Sequence, residues 1–407
     1  MLHHHVKDWL ATTADETVEK AIGWSHINSG TRNLAGISTM QDLVRAELER
    51  LSFACALEES DPVTSISDQG EPEVLHFGPV LRAQLRPEAT RRLLCVGHVD
   101  TVYPESHPFQ SVTRIGNGHL NGPGIADMKG GLAILFRAFE AVERFGLMPD
   151  MGIDVLINSD EETGSLASAR HLTAAAQGVE AGLVVEPALA DGSLAGGRGG
   201  SGNFHFAFKG RAAHAGRAFH EGRNAITAAA RLIADVDGLN GQRERTTFNV
   251  GLMRGGDSLN SVAASAVVRV NIRSPEPHHM AWAEQELRRI AEHHNGQADV
   301  EVALHGAVHR PAKPMTDNHA QLFHRVHALG VEQGLDVTWS DTGGVCDGNN
   351  IAAGGIPVVD TLGVRGGAIH SADEFAVEDS FLERVLLLTS VLVSFQDAPL
   401  SNGDMTC

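Results

Sequence analysis

Residues 93–102 read Leu-Leu-Cys-Val-Gly-His-Val-Asp-Thr-Val, an apolar run that ends at a glycine and is followed by a histidine and an aspartate. Such a run is typical of a strand buried on both faces, as in a parallel sheet. Residues two apart in extended backbone point to the same side, so Asp100 can reach the ring of His98 and orient it. Ligands of open α/β sheets collect beyond the carboxyl ends of the strands. The stretch therefore predicts a strand that ends in a candidate metal ligand; a histidine in an ordinary loop is the alternative.

Two later apolar stretches also predict strands that end in acidic residues. Met151–Asn158 is followed by Glu161 and Glu162, and residues 181–185 are followed by Glu186. The carboxyl ends of neighbouring parallel strands meet at one edge of a sheet, so these side chains would form a pocket suited to a zinc-like divalent ion. A solvated acidic turn is the alternative for the glutamate pair, since negative charge is favourable before the helix that follows.

Asp127 is a further candidate ligand, and His370 is a histidine for which the pattern alone indicates no role. Asp127 lies in the run Gly122-Pro-Gly-Ile-Ala-Asp-Met-Lys-Gly-Gly, just before a helix predicted over Met128–Phe145. An aspartate in this place is typical of a helix N-cap, and it can equally turn towards a cation. His370 lies in a polar loop before a helix predicted over Glu378–Phe395. For His370 the ordinary interpretation is a solvated loop histidine.

The order of the predicted elements indicates an α/β protein with an inserted α+β unit. After residue 194 the pattern changes to strand, helix, strand, strand, helix and strand, and the α/β pattern resumes after Pro314. We therefore predict a catalytic domain with a mostly parallel central sheet, formed by residues 1–194 and 311–407, and an inserted unit formed by residues 195–310. A chain of 407 residues is long enough for two such domains.

Composition and charge exclude some classes of partner. A formal charge of −19 argues against nucleic-acid and anionic-membrane partners. No stretch approaches membrane-spanning length, and four scattered cysteines suggest neither a disulfide framework nor a thiolate zinc cluster, so a cytoplasmic protein is expected. The glycines at 197–202 fit a dinucleotide-binding template, but a strand rather than a helix follows them, so no nucleotide cofactor is predicted. At the N-terminus, apolar spacing predicts helices over Val6–Ile22 and Met40–Leu57.

Taken together, the chain resembles the aminoacylase and bacterial glutamate carboxypeptidase family of di-zinc metallopeptidases. Six matching pieces occur in order between about residue 90 and residue 380. They are Gly97-His-Val-Asp-Thr-Val, Gly124-Ile-Ala-Asp-Met-Lys-Gly-Gly, Asp160-Glu-Glu-Thr-Gly-Ser, Val185-Glu-Pro, Arg211-Ala-Ala-His-Ala-Gly and His370-Ser-Ala-Asp-Glu. The resemblance implies a zinc-exopeptidase-like catalytic domain whose inserted unit is a dimerisation (lid) domain.

The resemblance also implies two divalent metal ions, with zinc expected and manganese or cobalt as alternatives. It assigns His98 and Glu186 to one ion and Glu162 and His370 to the other. Asp127 would bridge both. Two cations typically ~3.5–4 Å apart need a bridging carboxylate and lower the pKa of a shared water.

For catalysis, the resemblance assigns Glu161 as the general base, with Asp100 beside the metal site. Adjacent side chains on an extended turn point opposite ways, so one glutamate can ligate a metal while its neighbour faces the substrate. His214 is expected to reach the site of a partner subunit in a homodimer and to hold the oxyanion there. The expected substrate-binding residues are Arg310, Arg273 and Asn260; a surface ion pair is the alternative for each arginine.

The expected function is hydrolysis of an amide bond in a small carboxylate-bearing substrate, as a carboxypeptidase or an N-acyl-amino-acid amidohydrolase. Ser193 and Ala195 stand where glutamate-selective members are expected to carry Lys and Ser, which argues against glutamate selectivity. One alternative is the same metal site acting on a non-peptide C–N bond, such as that of an aromatic amine. The other is a non-catalytic binding protein on this fold.

Overall fold

The computed structural model describes residues 2–400, which form ten α-helices and eighteen β-strands. The helices are α1 (His4–Thr12), α2 (Ala14–Ser25), α3 (Leu34–Arg50), α4 (Gly131–Arg144), α5 (Ala169–Ala175), α6 (Ala225–Asp237), α7 (Pro277–His294), α8 (Asp317–Val331), α9 (Asp347–Ala352) and α10 (Ser380–Asp397). The strands are β1 (Ala54–Glu58), β2 (Val63–Ile66), β3 (Pro72–Leu75), β4 (Val80–Leu85), β5 (Arg91–His98), β6 (Thr113–Ile115), β7 (His119–Asn121), β8 (Met151–Asn158), β9 (Gly182–Val184), β10 (Leu194–Arg198), β11 (Gly200–Lys209), β12 (Thr247–Gly255), β13 (Ser265–Ser274), β14 (Glu301–Arg310), β15 (Trp339–Thr342), β16 (Val358–Val359), β17 (Gly366–Gly367) and β18 (Phe375–Val377).

The central sheet has six strands in the order β1-β4-β8-β5-β9-β16. Strands β8, β5, β9 and β16 run parallel, and β4 is antiparallel to both of its neighbours. Strand β5 lies in the middle, and residues 93–96 are fully buried as the apolar run predicts. The mostly parallel sheet is therefore confirmed, and it brings the carboxyl ends of β5, β8 and β9 to one edge.

The inserted segment forms its own antiparallel sheet in the order β12-β13-β11-β14. Along β11 the aromatic side chains of Phe204, Phe206 and Phe208 are buried on one face, the period of two expected of a half-buried strand. They pack with α6 and α7 into a hydrophobic cluster separate from the one around the central sheet. Two separate cores make a two-domain architecture; the bounds 195 and 310 stay a prediction.

Two predicted helices differ from the structure. The helix predicted over Met40–Leu57 is wrong in its second part, because α3 ends at Arg50 and residues 54–58 are a strand. Ser52 has a φ of 67°, a left-handed conformation that ends the helix and turns the chain into the sheet. The single helix predicted over Val6–Ile22 is two helices, α1 and α2.

Two further features of residues 2–400 bear on the predictions about membrane-spanning segments and cysteines. No helix among them is long and apolar enough to cross a membrane. Cys55, Cys95 and Cys346 are free thiols, and Cys407 lies outside the described residues.

Candidate metal centre

The three strand ends of the central sheet bring His98, Glu161 and Glu186 together. One ligand atom from each lies within 4.8 Å of the others. His98 is the last residue of β5, Glu161 follows β8, and Glu186 follows β9. The imidazole and the Glu186 carboxylate are buried, and His98 Nε2 is 3.7 Å from Glu186 Oε1. Parallel strands that end at the same edge therefore form the first cluster of candidate ligands.

A second cluster lies beside the first and contains Asp127, Glu162 and His370. His370 Nε2 is 3.2 Å from Asp127 Oδ2 and 3.1 Å from Glu162 Oε2. Asp127 also faces the first cluster, because its Oδ1 is 3.3 Å from His98 Nε2. Its two carboxylate oxygens thus point towards the two histidines, one oxygen to each.

The residues fit a pair of divalent cations. His98 Nε2, Asp127 Oδ1 and Glu162 Oε1 are buried atoms without a hydrogen-bond partner among the described residues, and all three belong to residues of the two clusters. Burial, together with the charge of Asp127, raises the pKa of Glu162 to about 8 and that of Glu186 to about 7. Ionising all of these carboxylates is therefore unfavourable unless a positive charge lies between them. Imidazole nitrogen and carboxylate oxygen are donors that zinc and similar ions accept.

Local backbone structure decides where Asp127 points. It does not cap the following helix, because α4 begins at Gly131 and the backbone of Asp127 is non-helical. Gly124 precedes it with a φ of 70°, and a Cβ there would lie 2.7 Å from the Thr101 methyl carbon. The glycine-rich run therefore forms a tight loop that directs the carboxylate to the clusters, and the N-cap interpretation of Asp127 is wrong.

Asp100 contacts His98, and it also supports the glutamate pair. His98 Nδ1 is 3.0 Å from the Asp100 carbonyl oxygen and 3.4 Å from Oδ1 of its carboxylate. The two carboxylate oxygens accept the backbone N–H groups of Glu161 and Glu162, each at 3.2 Å. One fully buried aspartate thus fixes the turn that separates the two glutamates, a role that sequence spacing did not suggest.

The three consecutive carboxylates after β8 point in different directions. Asp160 turns into the protein, where it accepts the Ser168 hydroxyl at 2.6 Å and the Ala167 N–H at 2.7 Å. Glu162 belongs to the second cluster, and Glu161 belongs to the first cluster and lines an adjoining cavity. This separation of the pair is what a ligand and a neighbouring base require.

A cavity of about 690 Å³ adjoins both clusters. Its walls come from the catalytic domain and from the inserted unit. The candidate metal ligands line part of this cavity. Its other lining residues include Arg198, Arg273, His309, Arg310 and Cys346. The cavity is large enough for a small-molecule ligand and places it against the candidate metal centre.

The two predicted substrate-binding arginines differ in exposure and in bonding. Arg273 is exposed at the cavity, with a side-chain N–H bonded to the Gly343 carbonyl at 2.9 Å. Arg310 is buried, and its guanidinium is bonded to Asp347, Asn350 and Glu161. Arg310 therefore does not offer a free guanidinium to a ligand in this arrangement.

His214 and Asn260 do not line the cavity. Both are exposed on the inserted unit, where the bridge between His214 and Ser261 holds them side by side. They lie together but outside the cavity, so within one chain they contribute nothing to the centre.

Sequence reasoning missed two residues around the cavity. Arg198 is nine-tenths buried in the cavity wall, where its Nε donates to Asp360 at 2.8 Å. Asp347 is buried and holds Arg310 at 2.6 Å. Asp347 is the first residue of α9, within the glycine-containing stretch 342–349, whose composition alone predicts only a turn.

Comparison with known proteins gives a consistent result. The model of peptidase family M20/M25/M40 matches residues 94–394. Carboxypeptidase G2 of Pseudomonas sp. is 28% identical over 381 residues, which cover 93% of this chain and 88% of that protein. A succinyl-diaminopimelate desuccinylase of Nitrosospira multiformis is 30% identical over 334 residues, covering 77% of this chain and 85% of that protein. In fold, a tripeptidase of Staphylococcus aureus superposes with a TM-score of 0.74 at 21% identity, over 95% of this chain and 99% of that one.

Proposed function

Because the chain belongs to peptidase family M20/M25/M40, it is a metal-dependent hydrolase, and we propose that its substrates are small amides that carry a free carboxylate. The reaction is that of a carboxypeptidase or an N-acyl-amino-acid amidohydrolase. The observation that carries the proposal is the division of the Asp127 carboxylate between His98 and His370, at 3.3 and 3.2 Å. One carboxylate shared by two ligand sets is the arrangement that a pair of metal ions needs.

In this proposal His98 and Glu186 would hold one ion, Glu162 and His370 would hold the other, and Asp127 would serve both. Zinc is the proposed ion, with manganese or cobalt as substitutes. Divalent ions bound there supply Lewis acidity, which makes water a stronger nucleophile at neutral pH and polarises the substrate carbonyl.

Glu161 is the proposed general base. Its carboxylate borders the cavity and lies within reach of the first cluster, so it can take a proton from the attacking water. The same carboxyl group then gives that proton to the nitrogen of the leaving amine as the C–N bond breaks. Burial raises the pKa of Glu161, and Arg310, 2.6 Å from Oε1, opposes that shift and favours the anionic form that this base needs.

The cavity supports a substrate with a negative charge. Arg198 and Arg273 both line it, and a terminal guanidinium nitrogen of Arg198 lies close to Gly344, another lining residue. Guanidinium groups bind carboxylates with paired hydrogen bonds. We assign these two arginines to the carboxylate, and we assign Arg310 to Glu161 instead.

We further propose a cytoplasmic homodimer formed through the inserted unit. Strand β12 is an edge strand of the inserted sheet and can pair with a second copy. In such a dimer, His214 and Asn260 of one subunit are the candidates to complete the site of the other, with His214 as the oxyanion donor. Sedimentation velocity gives the mass in solution, and a monomer at micromolar concentration would contradict this part.

Metal analysis of the purified protein and an assay panel test the proposed function together. The panel contains dipeptides, N-acyl and N-succinyl amino acids and aryl amides, each paired with the analogue whose free carboxylate is a carboxamide. We expect two divalent ions per chain and turnover of a carboxylate-bearing amide, with a loss of at least about tenfold in kcat/KM for the neutral analogue.

Two outcomes would contradict this proposal. Equal turnover of each charged and neutral pair would remove the carboxylate requirement. Active protein without a divalent ion would remove the metal mechanism. Turnover confined to aryl amines would favour the non-peptide alternative, and metal binding without any turnover would favour a binding protein.

A further inference from the structure

Glu374 is a fully buried carboxylate that takes no part in the proposed chemistry. It lies four residues after His370, in the loop that leads to β18. Its Oε1 accepts the backbone N–H groups of Ala126 and Asp127, at 3.0 and 3.1 Å. Its Oε2 accepts the Gly124 N–H at 3.1 Å. A single side chain from the His370 loop therefore holds the loop that carries the shared ligand Asp127.

Tyr103, the only tyrosine in the chain, ties the same two loops together. It is 3% exposed, and its hydroxyl oxygen is 2.8 Å from Glu374 Oε2 and 2.7 Å from the carbonyl oxygen of Ser371. The single hydroxyl proton serves one of these acceptors at a time. Tyr103 follows His98 by five residues, so it links the end of β5 to the loop after residue 367.

The His370 loop needs such support. His370 and Ala368 have φ values of 64° and 51°, left-handed conformations that cost free energy for residues other than glycine. The His370 side chain is 53% exposed, so core packing does not hold it in place. Asn121 adds two hydrogen bonds, to the carbonyl oxygens of Ala372 and Glu374. The position of the imidazole is thus set by the hydrogen bonds of its loop.

His98 is held differently. It is the last residue of a central strand, fully buried, and its Nδ1 is bonded to Asp100. Loss of Glu374 would leave three buried N–H groups unpaired in the Asp127 loop and would free the His370 loop, while His98 and Glu186 would keep their places.

We propose that Glu374, assisted by Tyr103, is a positioning residue that sets the affinity of the cation site formed by Asp127, Glu162 and His370, and that it affects the site of His98 and Glu186 much less. The inference rests on the proposed function, since it presupposes two cations. Residues that orient metal ligands typically change metal affinity by roughly 10–100-fold when mutated.

Calorimetric titration of chelator-treated protein with Zn²⁺ tests the inference without an activity assay. Glu374→Gln keeps the shape of the side chain and removes its charge. We expect it to weaken, by roughly 10–100-fold, the binding event that His370→Ala abolishes, and to leave the other event within about threefold. Tyr103→Phe keeps the carboxylate, and a smaller weakening of the same event is expected. His370→Ala is the reference for loss of that site.

Asp154→Asn is the matched control, because it also removes a carboxylate bonded to other side chains, those of Arg92 and Gln84, away from both clusters. It should lower the unfolding temperature and leave both binding events unchanged. Any contribution of His3–His5 to Zn²⁺ binding is common to all variants and cancels in the comparison. If Glu374→Gln does not fold, the same titration of Tyr103→Phe decides.

Unchanged binding in both variants, or equal weakening of both events, would overturn the positioning role. Native protein that binds no divalent ion would instead overturn the proposed function, and this inference with it. The two failures are therefore distinguishable by the native titration alone.

Discussion

The guanidinium of Arg310 lies 2.6 Å from the carboxylate of Glu161, so the last strand of the inserted unit is bonded directly to the proposed general base. Arg310 is 1% exposed, and its other terminal nitrogen, Nη1, is bonded to Asp347 at 2.6 Å and to Asn350 at 2.7 Å. A buried cation flanked by two carboxylates is held strongly in one geometry. The inserted unit thereby takes part in orienting Glu161.

The first prediction concerns that pair. Arg310→Lys keeps the charge but loses the planar fork that bonds Asp347 and Glu161 at once. We expect kcat to fall by roughly 10–100-fold with KM changed less than about threefold, since the change affects the base and spares the substrate carboxylate. Steady-state kinetics give both constants. Arg273→Lys, at the cavity surface, is the comparison variant and should raise KM. If Arg310→Lys raises KM instead of lowering kcat, Arg310 binds the substrate and does not orient the base.

The second prediction uses the neighbouring glutamates. Glu161→Gln should reduce kcat by roughly 10²–10⁴-fold, because the proton acceptor is lost, and should leave the metal content unchanged. Glu162→Gln should instead lose one metal ion, because a ligand is weakened. Elemental analysis and a rate assay on both variants make the comparison. If Glu161→Gln keeps full activity, another residue is the base.

The third prediction concerns removal of the metal ions. Crowded, buried carboxylates should lower the free energy of unfolding of the metal-free protein. An ion that binds only the folded chain raises that free energy by about 2.7 kcal/mol when its free concentration is 100 times its Kd. Thermal unfolding with chelator and with added Zn²⁺ measures the difference. Asp127→Ala should show the smallest response to Zn²⁺, and a response equal to that of the native protein would contradict the shared ligand.

The fourth prediction concerns acid stability. Burial, with a contribution from Lys313, lowers the pKa of His319 to about 4, whereas an unfolded histidine titrates near 6.5. Between pH 6.5 and pH 4 this histidine is protonated in the unfolded chain and neutral in the folded chain. The free energy of unfolding therefore decreases as the pH falls through this range. His319→Gln should therefore lose less stability between pH 7 and pH 4.5, by on the order of 1–3 kcal/mol.

Urea unfolding at several pH values measures this effect. His76→Gln, at an exposed position, is the control and should follow the native curve. Parallel curves for the native protein and the His319 variant would show that this histidine does not determine acid stability.

Much of the centre was predictable from the sequence because strand periodicity and strand ends are local properties. An apolar run that stops at His98, and two others that stop before Glu161 and Glu186, imply a shared edge once the strands are parallel. Asp127 was a candidate ligand from its position but had an equally ordinary interpretation as a helix cap. His370, a loop histidine by its sequence alone, followed only from the family resemblance. The error over residues 54–58 has a local cause too, because the spacing of apolar residues did not separate the end of a helix from a short strand.

The sequence by itself determined the parallel sheet, the presence of an inserted unit and the acidic edge, because these depend on patterns within about ten residues. Only the tertiary structure decided which partners the buried charges take: Arg310 with Glu161 rather than with a ligand, and Glu374 with the Asp127 loop, pairs separated by 149 and 247 positions. A buried polar group must find a partner, but nothing in its own neighbourhood in the chain specifies which one. That choice is made when distant segments pack together.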